Sequence, residues 1–92
     1  MLAEAINDVR VLPADLPSPN IVQEFYKLKS AKLLGRFRGM PARDVAAAAT
    51  IAANLGAFIM AHPEIAEIDL NPVVVHAEGD GAVALDALIV TR

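Results

Sequence analysis

Residues 66–71 alternate between apolar and oxygen-bearing side chains, and Pro72 then stops the pattern. Successive side chains of a β-strand point to opposite faces, so this alternation gives one apolar and one polar face. The polar face would carry Glu67, Asp69 and Asn71 in a row. Proline has no backbone N–H and does not continue a central strand. The stretch therefore predicts a half-buried strand that concentrates oxygen atoms on one face.

Two helices are predicted between the linker at residues 13–19 and this strand. Ser18 and Pro19 are typical of a helix start, with the Ser18 hydroxyl as the cap. This helix follows an apolar stripe as far as Gly35. Pro41 opens a second, alanine-rich helix, which ends at about Ala61, before Pro63.

Two further strands are predicted at the ends of the chain. Residues 7–12 alternate like a strand, and residues 82–91 are almost entirely aliphatic. The resulting order is β-α-α-β-β. It predicts an α+β fold in which two helices cover one face of a small antiparallel sheet. The length fits one domain over residues 1–92.

The last two strands predict a hairpin whose register can be written down from its loop. A four-residue loop at residues 77–80 makes His76 face Gly81. Residues that face each other on antiparallel strands have Cβ atoms about 5 Å apart. The further pairs in this register are Asn71 with Asp86 and Asp69 with Leu88.

Asp69, Asn71 and Asp86 would then form a cluster of oxygen ligands. Hard divalent cations such as Mg²⁺ are bound by one or two carboxylates together with water and substrate phosphates. Clustered carboxylates repel each other unless a positive charge lies among them. The alternative is an exposed polar face on which Asn71 and Pro72 simply end a strand.

Positive charge is concentrated in one short segment of an otherwise acidic chain. Residues 27–38 carry five basic residues and no acid, whereas the whole chain has eight basic and eleven acidic residues. Such a segment suits a phosphate-bearing ligand, and it is equally compatible with a solvated helix face and loop. Nucleic-acid binding is disfavoured because the net charge is −3 and the basic segment contains a single aromatic residue, Phe37.

Several other classes of protein are disfavoured. The chain has no cysteine, which removes disulfide frameworks and thiol nucleophiles. Residues 1–10 lack the basic start and apolar core of a signal peptide. Residues 45–62 approach the length of a membrane span, but eight of these eighteen residues are alanine and Thr50 and Asn54 interrupt them. We therefore expect a cytoplasmic protein without a membrane partner. His62 and His76 are not spaced as metal ligands, and no nucleophile triad is indicated.

Three motifs in order resemble a known family. They are LLGRFRGMPARDV at residues 33–45, PEIAEIDLNPVVV at 63–75 and GAVALDALIV at 81–90. Together they resemble the closing third of the ATP-grasp module of ADP-forming acyl-CoA synthetases, which is similar to the nucleotide-binding part of succinyl-CoA synthetase beta chains. The resemblance covers residues 31–91, and residues 5–30 match more loosely.

The resemblance implies what several residues would bind. Asp69, Asn71 and Asp86 would hold Mg²⁺ at the phosphates of ATP or ADP, with Glu67 as a less certain further acid. Arg36 and Arg38 would lie exposed on the loop between the helices and meet anionic partners. The family often has a basic residue where this chain has Leu88.

The family's adenine pocket, phosphate-covering loop, CoA-binding domain and phosphohistidine segment have no counterpart in the 92 residues. We therefore expect a fragment of an ADP-forming acyl-CoA synthetase, which converts acyl-CoA, ADP and phosphate to the acid, CoA and ATP. It would contribute the hairpin at the ATP phosphates and be inactive alone. The alternative is a stand-alone interaction or regulatory module without chemistry. Exposed apolar surface predicts a homo-oligomer or association with the rest of the synthetase.

Overall fold

The computed structural model describes residues 10–28, 31, 35 and 41–92. In this part of the chain two helices precede four short strands. The helices are α1 (Ser18–Phe25) and α2 (Val45–Ala61), and the strands are β1 (Ile65–Leu70), β2 (Val73–Val75), β3 (Ala82–Ala84) and β4 (Ala87–Thr91).

Helix α1 is shorter than its sequence predicts. Pro17 occupies the cap position in an extended conformation, and no side chain caps the helix, so the prediction that Ser18 is the cap was wrong. Pro19 lies in the first turn, where its missing N–H costs nothing. The helix ends at Phe25 and gives way to turns, in which Leu28 N–H donates to the Phe25 carbonyl at 3.1 Å. The predicted extension to Gly35 was therefore also wrong.

Helix α2 begins at Val45 rather than at Pro41. Asp44 caps it, because its side chain accepts a hydrogen bond from Ala47 N–H at 3.1 Å and satisfies a free donor of the first turn. The helix ends at Ala61, as predicted, before Pro63. Neither described helix combines the length and the apolar character that crossing a bilayer requires.

The hairpin has the predicted register. Asp69 pairs with Leu88 in β1–β4, Val73 pairs with Ala84 in β2–β3, and His76 N–H donates to the Gly81 carbonyl at 2.9 Å. Each of the two strands predicted for the hairpin is divided in the middle. The hairpin therefore consists of two antiparallel sheets, each with two strands. The break in the first strand falls at Asn71 and Pro72, and that in the second at Leu85 and Asp86. A β-bulge between Ile65 and Glu67 shifts the register by one residue at the start of β1.

The strand predicted over residues 7–12 does not form in its described part. Residues 10–12 have no regular secondary structure, and residues 7–9 lie outside the description. The fold class is nevertheless as predicted, with two helices and small antiparallel sheets. Helix α2 packs against α1 and against the strands. The buried apolar residues are Ile21 on α1, Val45 and Ala49 on α2, and Ile65 at the start of β1.

Candidate functional site

Asn71 and Asp86 lie opposite each other at the break between the two halves of the hairpin. Asn71 N–H donates to the Asp86 carbonyl at 3.2 Å, and Leu85 N–H donates to the Pro72 carbonyl at 2.9 Å. The backbone thus continues the antiparallel pairing across the break. Asn71 and Asp86 are opposite each other, as the predicted register requires.

Asp69 lies on the same face as this pair. It is two residues before Asn71, and its partner Leu88 is two residues after Asp86. Asp69, Asn71 and Asp86 are all exposed. We call these three residues the oxygen trio. Asp86 does not point into the core, and its Oδ1 accepts a hydrogen bond from Ala87 N–H at 2.8 Å.

The trio combines two carboxylates with one amide. Among the described residues, no group of three or more His, Cys, Asp and Glu side chains is arranged to hold a metal ion. A metal at this position would therefore need the amide oxygen of Asn71 as well as Asp69 and Asp86. In the described part of the chain, neither carboxylate forms an ion pair with a basic side chain. Metal binding by the trio stays a prediction.

Glu67 extends the acidic row along β1. It is exposed and pairs with Val90, beside the β-bulge. The residues opposite the acids of β1 are thus apolar: Leu88 is 62% exposed and Val90 is 37% exposed. No base on β4 lies opposite Glu67 or Asp69, so this strand pair presents negative charge to an approaching cation.

Arg36 and Arg38 lie outside the described residues. The segment that follows them is described, and it joins the tip of the hairpin. Glu78 N–H donates to the Ala42 carbonyl at 2.8 Å, and Arg43 forms an antiparallel bridge with Ala77. Ala42 and Arg43, which follow the segment of Arg36 and Arg38 in the sequence, are therefore anchored to the β2–β3 turn.

Asp44 fixes this anchor. Its Oδ1 accepts from Ala47 N–H, and its Oδ2 accepts from Gly81 N–H at 2.8 Å and from Gly79 N–H at 3.2 Å. The hydrogen bonds from Ala47 and Gly81, followed by that from Gly79, hold the pKa of the Asp44 carboxyl below its ordinary value. One carboxylate thus ties the start of α2 to the hairpin turn.

The sequence indicates that Asp44 can cap a helix, but it does not indicate that Asp44 also binds the hairpin turn. An aspartate directly before a helical run is typical of a helix cap. The bonds to Gly79 and Gly81 join residues 35 and 37 positions apart, which local pattern does not reveal. Both glycines adopt positive φ, at 90° and 86°, which directs their N–H groups toward Asp44 at little conformational cost.

The histidines have no shared site. His62 Nδ1 lies 3.0 Å from Glu64 Oε1, and the His62 ring packs on Phe58 with a centroid separation of 4.3 Å. His76 is exposed next to the hairpin turn.

The chain is similar to several known proteins. A family model described as an ATP-grasp domain matches residues 1–91. A trans-feruloyl-CoA synthase from an unknown prokaryotic organism is 40% identical over 90 residues, which are 98% of this chain and 13% of that protein. An ADP-forming acetate–CoA ligase of Methanocaldococcus jannaschii is 42% identical over 64 residues, which are 70% of this chain and 9% of the ligase.

The fold also matches a solved structure. That structure is the dinucleotide-forming acetyl-coenzyme A synthetase 1 of Candidatus Korarchaeum cryptofilum, in complex with coenzyme A and Mg-AMPPCP. The TM-score is 0.86 at 34% sequence identity, and the match covers all of this chain and 42% of that one. The chain therefore spans less than half the length of that structure and a much smaller share of the two curated relatives.

Proposed function

This chain belongs to the ATP-grasp family, and from that membership we propose that it supplies the magnesium- and phosphate-binding hairpin of an ADP-forming acyl-CoA synthetase. The complete enzyme would interconvert acyl-CoA, ADP and phosphate with the acid, CoA and ATP. The observation that carries the proposal is the pairing of Asn71 with Asp86, beside Asp69, on an exposed face.

The chemistry of the trio fits Mg²⁺. Magnesium prefers oxygen ligands and is usually bound through one or two carboxylates while substrate phosphates and water complete its shell. Asp69 and Asp86 supply two carboxylates, and Asn71 supplies a neutral oxygen. The exposure of all three leaves room for a phosphate group on the open side.

Each residue has a separate task in this proposal. Asp69 and Asp86 hold the cation by charge, and Asn71 orients it without adding repulsion. The hydrogen bond from Ala87 N–H to Asp86 Oδ1 restrains that carboxylate before any ligand arrives. Bound Mg²⁺ would neutralise phosphate charge during phosphoryl transfer.

The segment of Arg36 and Arg38 would act on the same phosphates. We propose that Arg36 and Arg38 bind anionic groups of the nucleotide or of a partner domain, since a guanidinium matches phosphate geometry. The bonds of Ala42 and Asp44 to the hairpin turn support this role, because they anchor the residues that follow this segment to the element that carries the trio.

The proposed activity needs parts beyond these residues. The matched segments are 13%, 9% and 42% of the lengths of these relatives, so we propose that the chain is inactive alone and works in association with the rest of a synthetase. Exposed apolar side chains such as Phe58, Met60 and Leu85 support such association. Because ATP and CoA esters are cytoplasmic metabolites, we expect the complete enzyme in the cytoplasm.

A paramagnetic titration tests the proposal on the chain itself. Mn²⁺ is added to the ¹⁵N-labelled chain, with and without a non-hydrolysable ATP analogue, and amide line broadening is recorded. We expect the earliest broadening at Asp69, Asn71 and Asp86, at about millimolar metal for the chain without nucleotide. Broadening that is strongest at Glu78 and Asp80, or equal at all acids, would contradict the metal assignment and favour a module without chemistry.

A further inference from the structure

No described strand covers the outer edge of β4. Strand β4 pairs with β1 on one side, and no strand in the described ranges pairs with its other side. All five of its residues are exposed, including Leu88 at 62%, Ile89 at 53% and Val90 at 37%. An apolar edge of this kind favours pairing with another strand.

The hydrogen-bond pattern shows which backbone groups are available. The Asp86 carbonyl accepts from Asn71 N–H, and Arg92 N–H donates to the Glu64 carbonyl at 2.8 Å. Even-numbered residues of this segment therefore direct their backbone groups toward β1. In an antiparallel sheet the backbone N–H and C=O groups of successive residues point alternately to opposite sides of the strand. Those of Ala87, Ile89 and Thr91 therefore point outward, away from β1.

We propose that a second copy of this chain occupies this edge, with the two β4 strands antiparallel about a two-fold axis through Ile89. In that register Ile89 faces the partner's Ile89, and Ala87 faces the partner's Thr91. The outward backbone groups of both chains then meet each other. An isologous contact of this type is the usual form of a homodimer.

The side chains of β4 are complementary in the same register. Leu88 faces the partner's Val90, so apolar surface that each copy exposes becomes covered. Asp86 faces the partner's Arg92 at both ends of the strand. The Arg92 Nε donates to the Pro63 carbonyl at 2.7 Å, and a guanidinium has further N–H donors for a second acceptor.

The charges select the register rather than drive the association. An exposed ion pair contributes little free energy, but a two-residue slip would move each Asp86 away from the partner's Arg92. A register shifted by two residues in either direction would still let the outward backbone groups of the two β4 strands face each other, but it would pair fewer residues. The two-fold axis at Ile89 thus satisfies backbone, apolar and charged groups together.

This inference shares Asp86 with the proposed magnesium site, so the association state is measured without metal or nucleotide, which tests the dimer separately from metal binding. The 92-residue chain is examined by sedimentation equilibrium over a range of concentrations. We expect a reversible dimer, weakened by Arg92→Glu, which places two carboxylates opposite each other. Arg92→Lys keeps the charge and should retain the dimer. The double variant Asp86→Arg with Arg92→Glu should restore it. A chain that is monomeric at every concentration overturns the proposal.

Disulfide trapping tests the register. The chain has no cysteine, so a single introduced cysteine can cross-link only to the partner's copy. Ile89→Cys places the two thiols across the axis, where the Cα separation of about 5.5 Å suits a disulfide. Leu88→Cys is the control, because its Cα lies more than about 7 Å from its counterpart. Faster oxidation of the Ile89→Cys chain supports the register, and equal or reversed rates overturn it.

Discussion

The backbone N–H of Asn71 donates a hydrogen bond to the carbonyl oxygen of Asp86, with an N···O distance of 3.2 Å. This bond carries the antiparallel register across the break in the hairpin. It places the Asn71 amide and the Asp86 carboxylate on one exposed face, next to Asp69. The proposed magnesium site depends on this single backbone contact more than on any side-chain contact.

Asp86→Asn should weaken Mn²⁺ and Mg²⁺ binding by about tenfold or more, because it removes one of two carboxylate ligands. The fold should be retained, since the side chain is exposed and an asparagine oxygen can still accept from Ala87 N–H. Isothermal titration calorimetry with Mn²⁺ and circular dichroism measure the two effects. Asp80→Asn is the matched control, at an exposed turn position. Equal Mn²⁺ affinity of the two variants would show that Asp86 is not a metal ligand.

Asp44→Asn should lower the thermal unfolding midpoint. The asparagine keeps one acceptor for Ala47 N–H but turns an N–H₂ group toward Gly79 and Gly81, which now lack an acceptor. Amide hydrogen exchange at Gly79 and Gly81 should accelerate more than exchange at Ala49. An unchanged exchange rate at both glycines would show that the Asp44 carboxylate does not hold the turn.

The effect of Asp44→Asn should also depend on pH. The folded-state pKa of Asp44 is lowered by its backbone hydrogen bonds. Its stabilisation is therefore fully present above the unfolded-state pKa, at about pH 4, and is lost as pH falls through the lower folded-state value. The difference in unfolding free energy between the two proteins should shrink below about pH 4. Urea unfolding from pH 7 downward measures it, and a difference that grows on acidification would contradict the assignment.

Gly56→Ala should destabilise the chain by about 1–3 kcal/mol. A Cβ at this position would overlap the backbone carbonyl oxygen of Ala14, which packs against α2. Without that contact, the same change inside a helix would stabilise by about 0.5–1 kcal/mol. The sign of the change in unfolding free energy, measured by urea unfolding, therefore distinguishes the two outcomes. Asn54→Ala, at an exposed position of the same helix, is the control and should be neutral or stabilising.

Ile65→Ala and Ile89→Ala compare two isoleucines on paired strands. Ile65 is 7% exposed and lies in the core, so its truncation should cost about 2–4 kcal/mol. Ile89 is 53% exposed, so its truncation should cost less than about 0.5 kcal/mol when the chain is dilute and monomeric. Denaturant unfolding measures both, and similar costs would show that β4 is buried in solution.

The local sequence accounts well for the hairpin. Alternation in residues 66–71, the stop at Pro72 and the turn residues at 77–80 predict its strands and its register, because strand periodicity and loop length together fix which residues face each other. The same alternation predicts that Asp69 and Asn71 share a face. Three motifs in order were sufficient to predict the family.

The helix boundaries were predicted less well, because they depend on competition among neighbouring groups. Ser18 is a good cap by residue type, yet Pro17 takes the cap position. Pro41 is a plausible helix start, but Ala42 and Asp44 instead bond to the hairpin tip, so α2 begins at Val45. Nothing in residues 41–45 alone encodes the presence of Glu78 and Gly81.

The sequence by itself determined the α+β class, the hairpin register and the face on which the oxygen trio lies, since these follow from periodicity and turn length. Only the tertiary structure decided that Asp44 joins α2 to the hairpin turn and that β4 exposes its apolar side chains in the described part of the chain. Both depend on which distant segments come into contact. Such contacts are set by the free energy of packing the whole chain, which short-range pattern does not contain.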